Sequence, residues 1–202
     1  MSGPYQVTRQ LEHELSIYTG AKYVVAVNSG TAAILLACEW CFKSRWEGLP
    51  SIPKKTYVSV PMAIIRAGAD KVYFHDEDWK GSYQIKPYPI WDSARRFTSG
   101  MYKSGQFQCV SFSSSKILGI EQGGAILHDS EPADRWFRRM RFDGRTEGVD
   151  PRNDVFDLVG HHCLMLPSIA AQLVLKLHHL PKHNEDLAHY EYPDLSIQPA
   201  FR

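Results

Sequence analysis

Residues 23–42, YVVAVNSGTAAILLACEWCF, constrain the fold more than any other segment. The first five are apolar without a break. A strand with one wet face alternates polar and apolar residues, so an unbroken run belongs to a strand buried on both faces. The short polar turn NSG then opens an apolar helix from Thr31 to about Phe42. A strand covered on both sides and joined directly to a helix is a unit of a layered α/β domain.

The rest of the chain reads mainly as alternating helix and strand. Residues 5–18 set Val7, Leu11, Leu15 and Tyr18 on one helical face, with Gly20 as the stop. TYVSV (56–60) predicts a strand. Pro61 suits the first turn of a helix running through Ile65, with Gly68 as its cap. KVYFHD (71–76) and PIWD (89–92) predict strands, the second ending in a carboxylate. SGMYKSGQFQCVSFS (99–113) predicts two strands around a KSGQ turn.

GGAILHD predicts a further strand, and SEPADRWFRRMRFDG a helix capped by Ser130, with Pro132 in its first turn and Gly144 at its end. Its arginines Arg135, Arg138, Arg139 and Arg141 are accounted for by the helix C-terminal dipole and by solvent. After the polar loop TEGVDPRNDVFD, PSIAAQLVLKLHHL is an apolar helix closed by Pro181. The expected architecture is α/β, a mostly parallel central sheet flanked by helices. It occupies residues 1–180, with 181–202 as a short extension.

Composition narrows the function. With 202 residues, 44% of them hydrophobic and 22% charged, the chain has the make-up of a soluble globular domain. A net charge of +1 lacks the basic field of a non-specific nucleic-acid binder. No run approaches the ~18 apolar residues of a membrane span. The opening MSGPYQVTRQLEHEL has no signal-peptide core, so the cytoplasm is the expected compartment. Cys38 and Cys41 stand three apart inside the apolar helix, while Cys109 and Cys163 stand alone. No second ligand pair completes a metal site, and none is expected. The doublets His161-His162 and His178-His179 are poor chelates, because neighbours on a helix face different ways.

Three places carry chemistry. NSGTAA ends a strand and starts a helix, which leaves backbone N–H groups and the Thr31 hydroxyl at a helix N-terminus. That is a phosphate site, although many α/β turns look alike. Asp92 closes PIWD, at the strand end where open α/β sheets bind ligands; it serves equally as a helix cap or as the partner of a buried cation. In VSFSSSKILGIEQGGAI (110–126) a single lysine, Lys116, sits on a turn between two apolar runs. A solvated turn residue is one reading. The other is an amine held in a pocket to form a Schiff base, which needs its neutral form. Pyridoxal phosphate (PLP) requires that lysine, an acid for its ring nitrogen and anchors for its phosphate. Ser111 could add a phosphate hydroxyl, and Tyr57 a ring to stack on the cofactor or to fill the sheet core.

YVVAVNSGTAAILLA, KTYVSVPMAIIRAGADKVYFHD, IWDSA and VSFSSSKILGIEQGGAI, taken in order, resemble the DegT/DnrJ-type sugar aminotransferases, PLP enzymes of the aspartate aminotransferase fold. The resemblance spans about residues 7 to 180. It implies that Gly30 and Thr31 bind phosphate, Tyr57 stacks on the ring, Asp92 meets the pyridine nitrogen, Ser111 touches the phosphate and Lys116 is the Schiff-base lysine and proton shuttle. It implies transfer of an amino group, from glutamate or glutamine, to a nucleotide-linked keto sugar.

The chain departs from the family at several points. Arg95 stands where glutamine or histidine is usual, and is counted with the cofactor-binding residues. GHHCLM matches a loop that faces a second subunit, which implies a homodimer with a shared site. There His162 replaces an asparagine, and Cys163 and Leu164 replace a tyrosine and an arginine. Between VYFHD and PIWD a strand and helix are missing, and most of the family's small C-terminal domain has no counterpart. A racemase-like activity, or a non-catalytic scaffold or regulatory role, is the alternative.

Overall fold

The computed structural model describes residues 5–44, 47–188 and 191–202. Its main sheet has five strands: β1 (Tyr23–Val27), β4 (Tyr83–Ile85), β5 (Ile90–Asp92), β6 (Phe107–Ser111) and β7 (Gly124–His128), in the order β1-β7-β6-β5-β4. A pair of parallel strands, β2 (Ser51–Pro53) and β3 (Tyr73–His75), prolongs it past β4. The link is two backbone hydrogen bonds between Ser51 and Lys86, of 2.8 and 3.0 Å. Helices α2 (Gly30–Lys43), α3 (Ser59–Arg66) and α4 (Glu131–Met140) contribute to one face, and α1 (Gln6–Thr19) and α5 (Pro167–His178) to the other.

β1 shows why its run is unbroken. Val25 and Val27 pack into the core with α2, while Val24 and Ala26 pack with α1 and α5. α5 spends its apolar face, Ile169, Ala170, Leu173, Val174 and Leu177, on that second core.

The sheet is mixed, where the sequence predicts mostly parallel pairing. β1, β5 and β6 run one way and β4 and β7 the other, so β5 and β6 are the one parallel pair of the main sheet. Connection length explains β4. A parallel neighbour needs a crossover of a dozen or more residues, and only residues 86–89 separate β4 from β5, so the two form a hairpin. This hairpin fills the place where the resemblance implies a missing strand and helix.

Two predicted strands are absent. TYVSV is a turn followed by the start of α3, and Tyr57 and Val58 are exposed instead of alternating into a core. Residues 99–106 form a loop, leaving β6 alone of the expected pair.

Arg138 on α4 and Arg141 just after it depart from their solvated reading, while Arg135 stays exposed beside Glu131. β1 is an edge strand, and an open edge carries unpaired backbone groups. Here side chains cap it. Glu12 accepts the Ala26 N–H at 2.9 Å, Arg138 donates to the Val24 carbonyl at 3.2 Å, and Arg141 donates to the Ala26 carbonyl at 2.6 Å. Arg138 and Arg141 both pair with Glu12, and Arg141 pairs with Glu147 at 2.6 Å. Burial alone would raise the Glu12 pKa, but the two guanidiniums hold it below the ordinary value.

The segment after Pro181 lies along the β4 side. Asp186 pairs with Arg96, Leu187 bonds to the backbone of Gly81 and Arg95, and Leu195 is buried. Among the described residues no helix is long and apolar enough to cross a membrane, and no group of His, Cys, Asp and Glu is placed to hold a metal.

Candidate active site

The strands that share a direction deliver their last residues to one edge of the sheet. Ser29 and Gly30 follow β1, Asp92 ends β5 and Ser111 ends β6. Ser29 is extended and caps α2, its hydroxyl accepting the Ala32 N–H at 3.1 Å. The first N–H groups of a helix lack intrahelical partners and carry the positive end of its dipole. A β-carbon on Gly30 would stand 2.8 Å from the Ser111 β-carbon, and one on Gly124 would stand 2.5 Å from the Gly30 nitrogen. Two glycines thus let the end of β6 and the start of β7 close onto the helix N-terminus. The hydroxyls of Thr31 and Ser111 border the same recess, and Thr31 bonds Ser59 at 2.7 Å. Donors, dipole and close backbone approach fit a phosphate group.

Lys116 stands on a tight turn after β6. Its N–H donates to the Ser113 carbonyl and its carbonyl accepts from Gly119, both at 2.9 Å. A β-carbon on Gly119 would lie 2.5 Å from the carbonyl oxygens of both Lys116 and Ser113, so only glycine closes this turn. Burial lowers the Lys116 pKa, and Arg95 lowers it further; Asp92 opposes both, and the outcome lies below the ordinary value.

Asp92 is buried at the end of β5. One carboxylate oxygen accepts the Ala94 N–H at 3.0 Å and the other accepts the Tyr83 hydroxyl at 2.9 Å. Burial raises its pKa above the usual carboxylate value, against the lowering effect of these two bonds and of Lys116.

Gly30, Thr31, Tyr57, Asp92, Arg95, Ser111 and Lys116 all line one cleft of about 360 Å³. Arg95 is buried there, while Tyr57 is 57% exposed and meets Tyr192 edge to face with centroids 6.3 Å apart. His162 is not part of this wall. Its ring lies on the surface with Nδ1 3.0 Å from an Asp143 carboxylate oxygen. The wall also includes Thr56, Trp79 and Tyr192, which the sequence does not single out. Thr56 lies inside the supposed strand TYVSV, and Tyr192 in the weakly patterned tail; neither sits in a recognisable turn.

A three-layer α/β domain with a lysine, an acid and a helix N-terminus in one cleft at its strand ends has the architecture of an aminotransferase large domain. The sequence agrees: the DegT/DnrJ/EryC1/StrS aminotransferase family matches residues 1–101, half of the chain, and the chain belongs to that family. Among curated proteins none matches.

Solved structures share the fold. AtS13 from Actinomadura melliaura superposes with a TM-score of 0.74 at 17% identity, over 89% of this chain and 61% of its own. A protein from Bacillus cereus ATCC 10987 assigned as a PLP-dependent aminotransferase gives 0.70 at 21% identity, over 87% and 58%. The sugar aminotransferase CalS13 from Micromonospora echinospora gives 0.68 at 14% identity, over 88% and 62%. The chain therefore spans about three fifths of the length of these structures.

Proposed function

We propose that this chain is the cofactor-binding domain of a PLP-dependent aminotransferase whose acceptor is a nucleotide-linked keto sugar. The observation that carries the reading is the convergence of Lys116, Asp92 and the α2 N-terminus on one cleft. Family membership and the likeness to CalS13 support the sugar as acceptor class.

When bound, the cofactor supplies an aldehyde for amines and a ring that takes up an electron pair from an adjacent carbon. Lys116 supplies the amine. Its lowered pKa increases the neutral fraction, which is the nucleophile and afterwards the base that lifts and returns a proton within the cleft. Asp92 would hold the protonated ring nitrogen, Gly30, Thr31 and Ser111 would donate to the phosphate, and the Tyr57 ring would cover the ring face; all five line the cleft.

Borohydride reduction in the presence of PLP, followed by peptide mapping, tests this. The label is expected on Lys116 and absent from Lys116→Ala. Label on another lysine, or none, overturns the assignment. Asp92→Asn is expected to keep the cofactor and to slow a half-reaction with amino donors by orders of magnitude.

A further inference from the structure

We propose that Tyr83 is the positioning residue for Asp92, acting as the middle link of a directed hydrogen-bond chain that runs Thr56 → Tyr83 → Asp92. Tyr83 and Asp92 are direct cross-strand partners in the β4–β5 hairpin, and both are buried. The Tyr83 oxygen lies 2.9 Å from Asp92 Oδ2 and 2.6 Å from Thr56 Oγ1.

The proton count fixes the direction. An ionised carboxylate only accepts, and a phenol has one proton. Tyr83 must therefore spend its proton on Asp92, and Thr56 must donate to the Tyr83 oxygen. If Asp92 were protonated, the chain could run backwards, with Asp92 donating to Tyr83 and Tyr83 to Thr56. As long as Asp92 is ionised, the polarity of the chain is fixed.

The consequence follows from burial. A carboxylate removed from water tends to take up a proton, and hydrogen bonds to its charged form oppose this. Burial does raise the Asp92 pKa, and the Ala94 N–H and Tyr83 oppose it ahead of the charge of Lys116. The other groups facing this pair are Arg95 on the loop after β5, Cys109 across the pair on β6 and Tyr192 from the tail. Of the two bonds to Asp92, only the one from Tyr83 comes from a side chain, so it alone can be removed without disturbing the backbone.

The importance of Asp92 rests on the functional reading above; its coupling to Tyr83 does not. The test therefore uses protein without cofactor. The carbon-13 carboxyl signal of Asp92, assigned by its loss in Asp92→Asn, is titrated in wild type, Tyr83→Phe, Thr56→Val and Thr56→Ser, with melting curves to verify folding. The midpoint of Asp92 is expected to rise by about one pH unit in Tyr83→Phe, as loss of a hydrogen bond to a charged group requires. Thr56→Val should raise it less, and Thr56→Ser should restore the wild-type value. An unchanged midpoint in folded Tyr83→Phe overturns the role of Tyr83. An unchanged midpoint in Thr56→Val overturns the directed chain. Failure of borohydride to label Lys116 would count against the aminotransferase reading and leave this titration as it stands.

Discussion

Ser111 and Gly30 approach so closely that no side chain fits between them: a β-carbon at position 30 would meet that of Ser111 at 2.8 Å. Both atoms belong to rigid elements, the end of β6 and the first turn of α2, so the contact cannot relax by a rotamer change. Gly30→Ala should push the α2 N-terminus off its recess. Its expected effect is a loss of PLP affinity of at least tenfold in a titration followed by absorbance, with the fold retained by circular dichroism. Wild-type affinity would remove the α2 N-terminus from the phosphate site.

Glu12 holds the edge of β1 and neutralises Arg141, whose side chain is 2% exposed. Removing Glu12 leaves the buried Arg141 with Glu147 and takes away its other carboxylate, and breaking a buried ion pair typically costs about 3–5 kcal/mol. Glu12→Leu is expected to lower the unfolding free energy in urea by about that much. Glu12→Leu combined with Arg141→Met should cost less than the sum of the two single changes, because the two side chains interact directly. Additive losses would show that the pair is not coupled.

The sequence made most of this fold legible, and the misses have two causes. β1, α2, β7 and α5 are long, apolar and bounded by turn residues, so burial dictates their pattern. β2 and β4 are three residues each and sit among Ser, Pro, Gly and Lys, without the apolar runs that mark the equally short β3 and β5. TYVSV has the composition of a strand, yet position decides: the chain turns into α3 there and leaves Tyr57 exposed. At the candidate site, Asp92 and Gly30 were legible because one ends a strand and the other starts a helix, and Lys116 because it is a single cation on a turn between two apolar runs. Tyr83 was not, since a lone tyrosine on a short strand becomes informative only when the hairpin sets it opposite Asp92.

His128 makes stability depend on pH. It is fully buried on β7 among the rings of Tyr23, Phe107 and Phe137, with Asp134 3.7 Å away. Burial lowers its pKa to about 4, from an ordinary value of 6.5. The unfolded chain therefore binds a proton at position 128 more readily than the native one below about pH 6.5. This contribution to stability is intact above pH 6.5 and is lost as pH falls towards 4. At about 1.4 kcal/mol per pH unit, the loss amounts to roughly 3 kcal/mol. Urea unfolding from pH 7 to 4 should fall less steeply in His128→Leu than in wild type. Parallel curves would mean that His128 takes up no excess protons on unfolding.

Assembly is the last expectation. The loop before α5 leaves Val155, Phe156, Val159 and Leu166 exposed, Val159 at 94%. α5 packs its buried stripe in the core with α1 and leaves Leu175 exposed on its outer side. The loop gathers four exposed apolar side chains ahead of α5, and His162 lies within it. Symmetric dimers are the commonest soluble assembly and bury the same patch of both subunits. We expect a homodimer in which this loop crosses to the partner and His162 reaches the phosphate of the partner's cofactor, donating a hydrogen bond. For that it must exchange its present bond to Asp143, which only an exposed ring can do readily. Sedimentation with PLP decides the dimer, and a clean monomer excludes a shared site. Val159→Asp should split the dimer by burying a charge in the interface. His162→Ala should keep the dimer and weaken PLP binding severalfold; unchanged binding would take His162 out of the site and leave the loop as a purely structural contact.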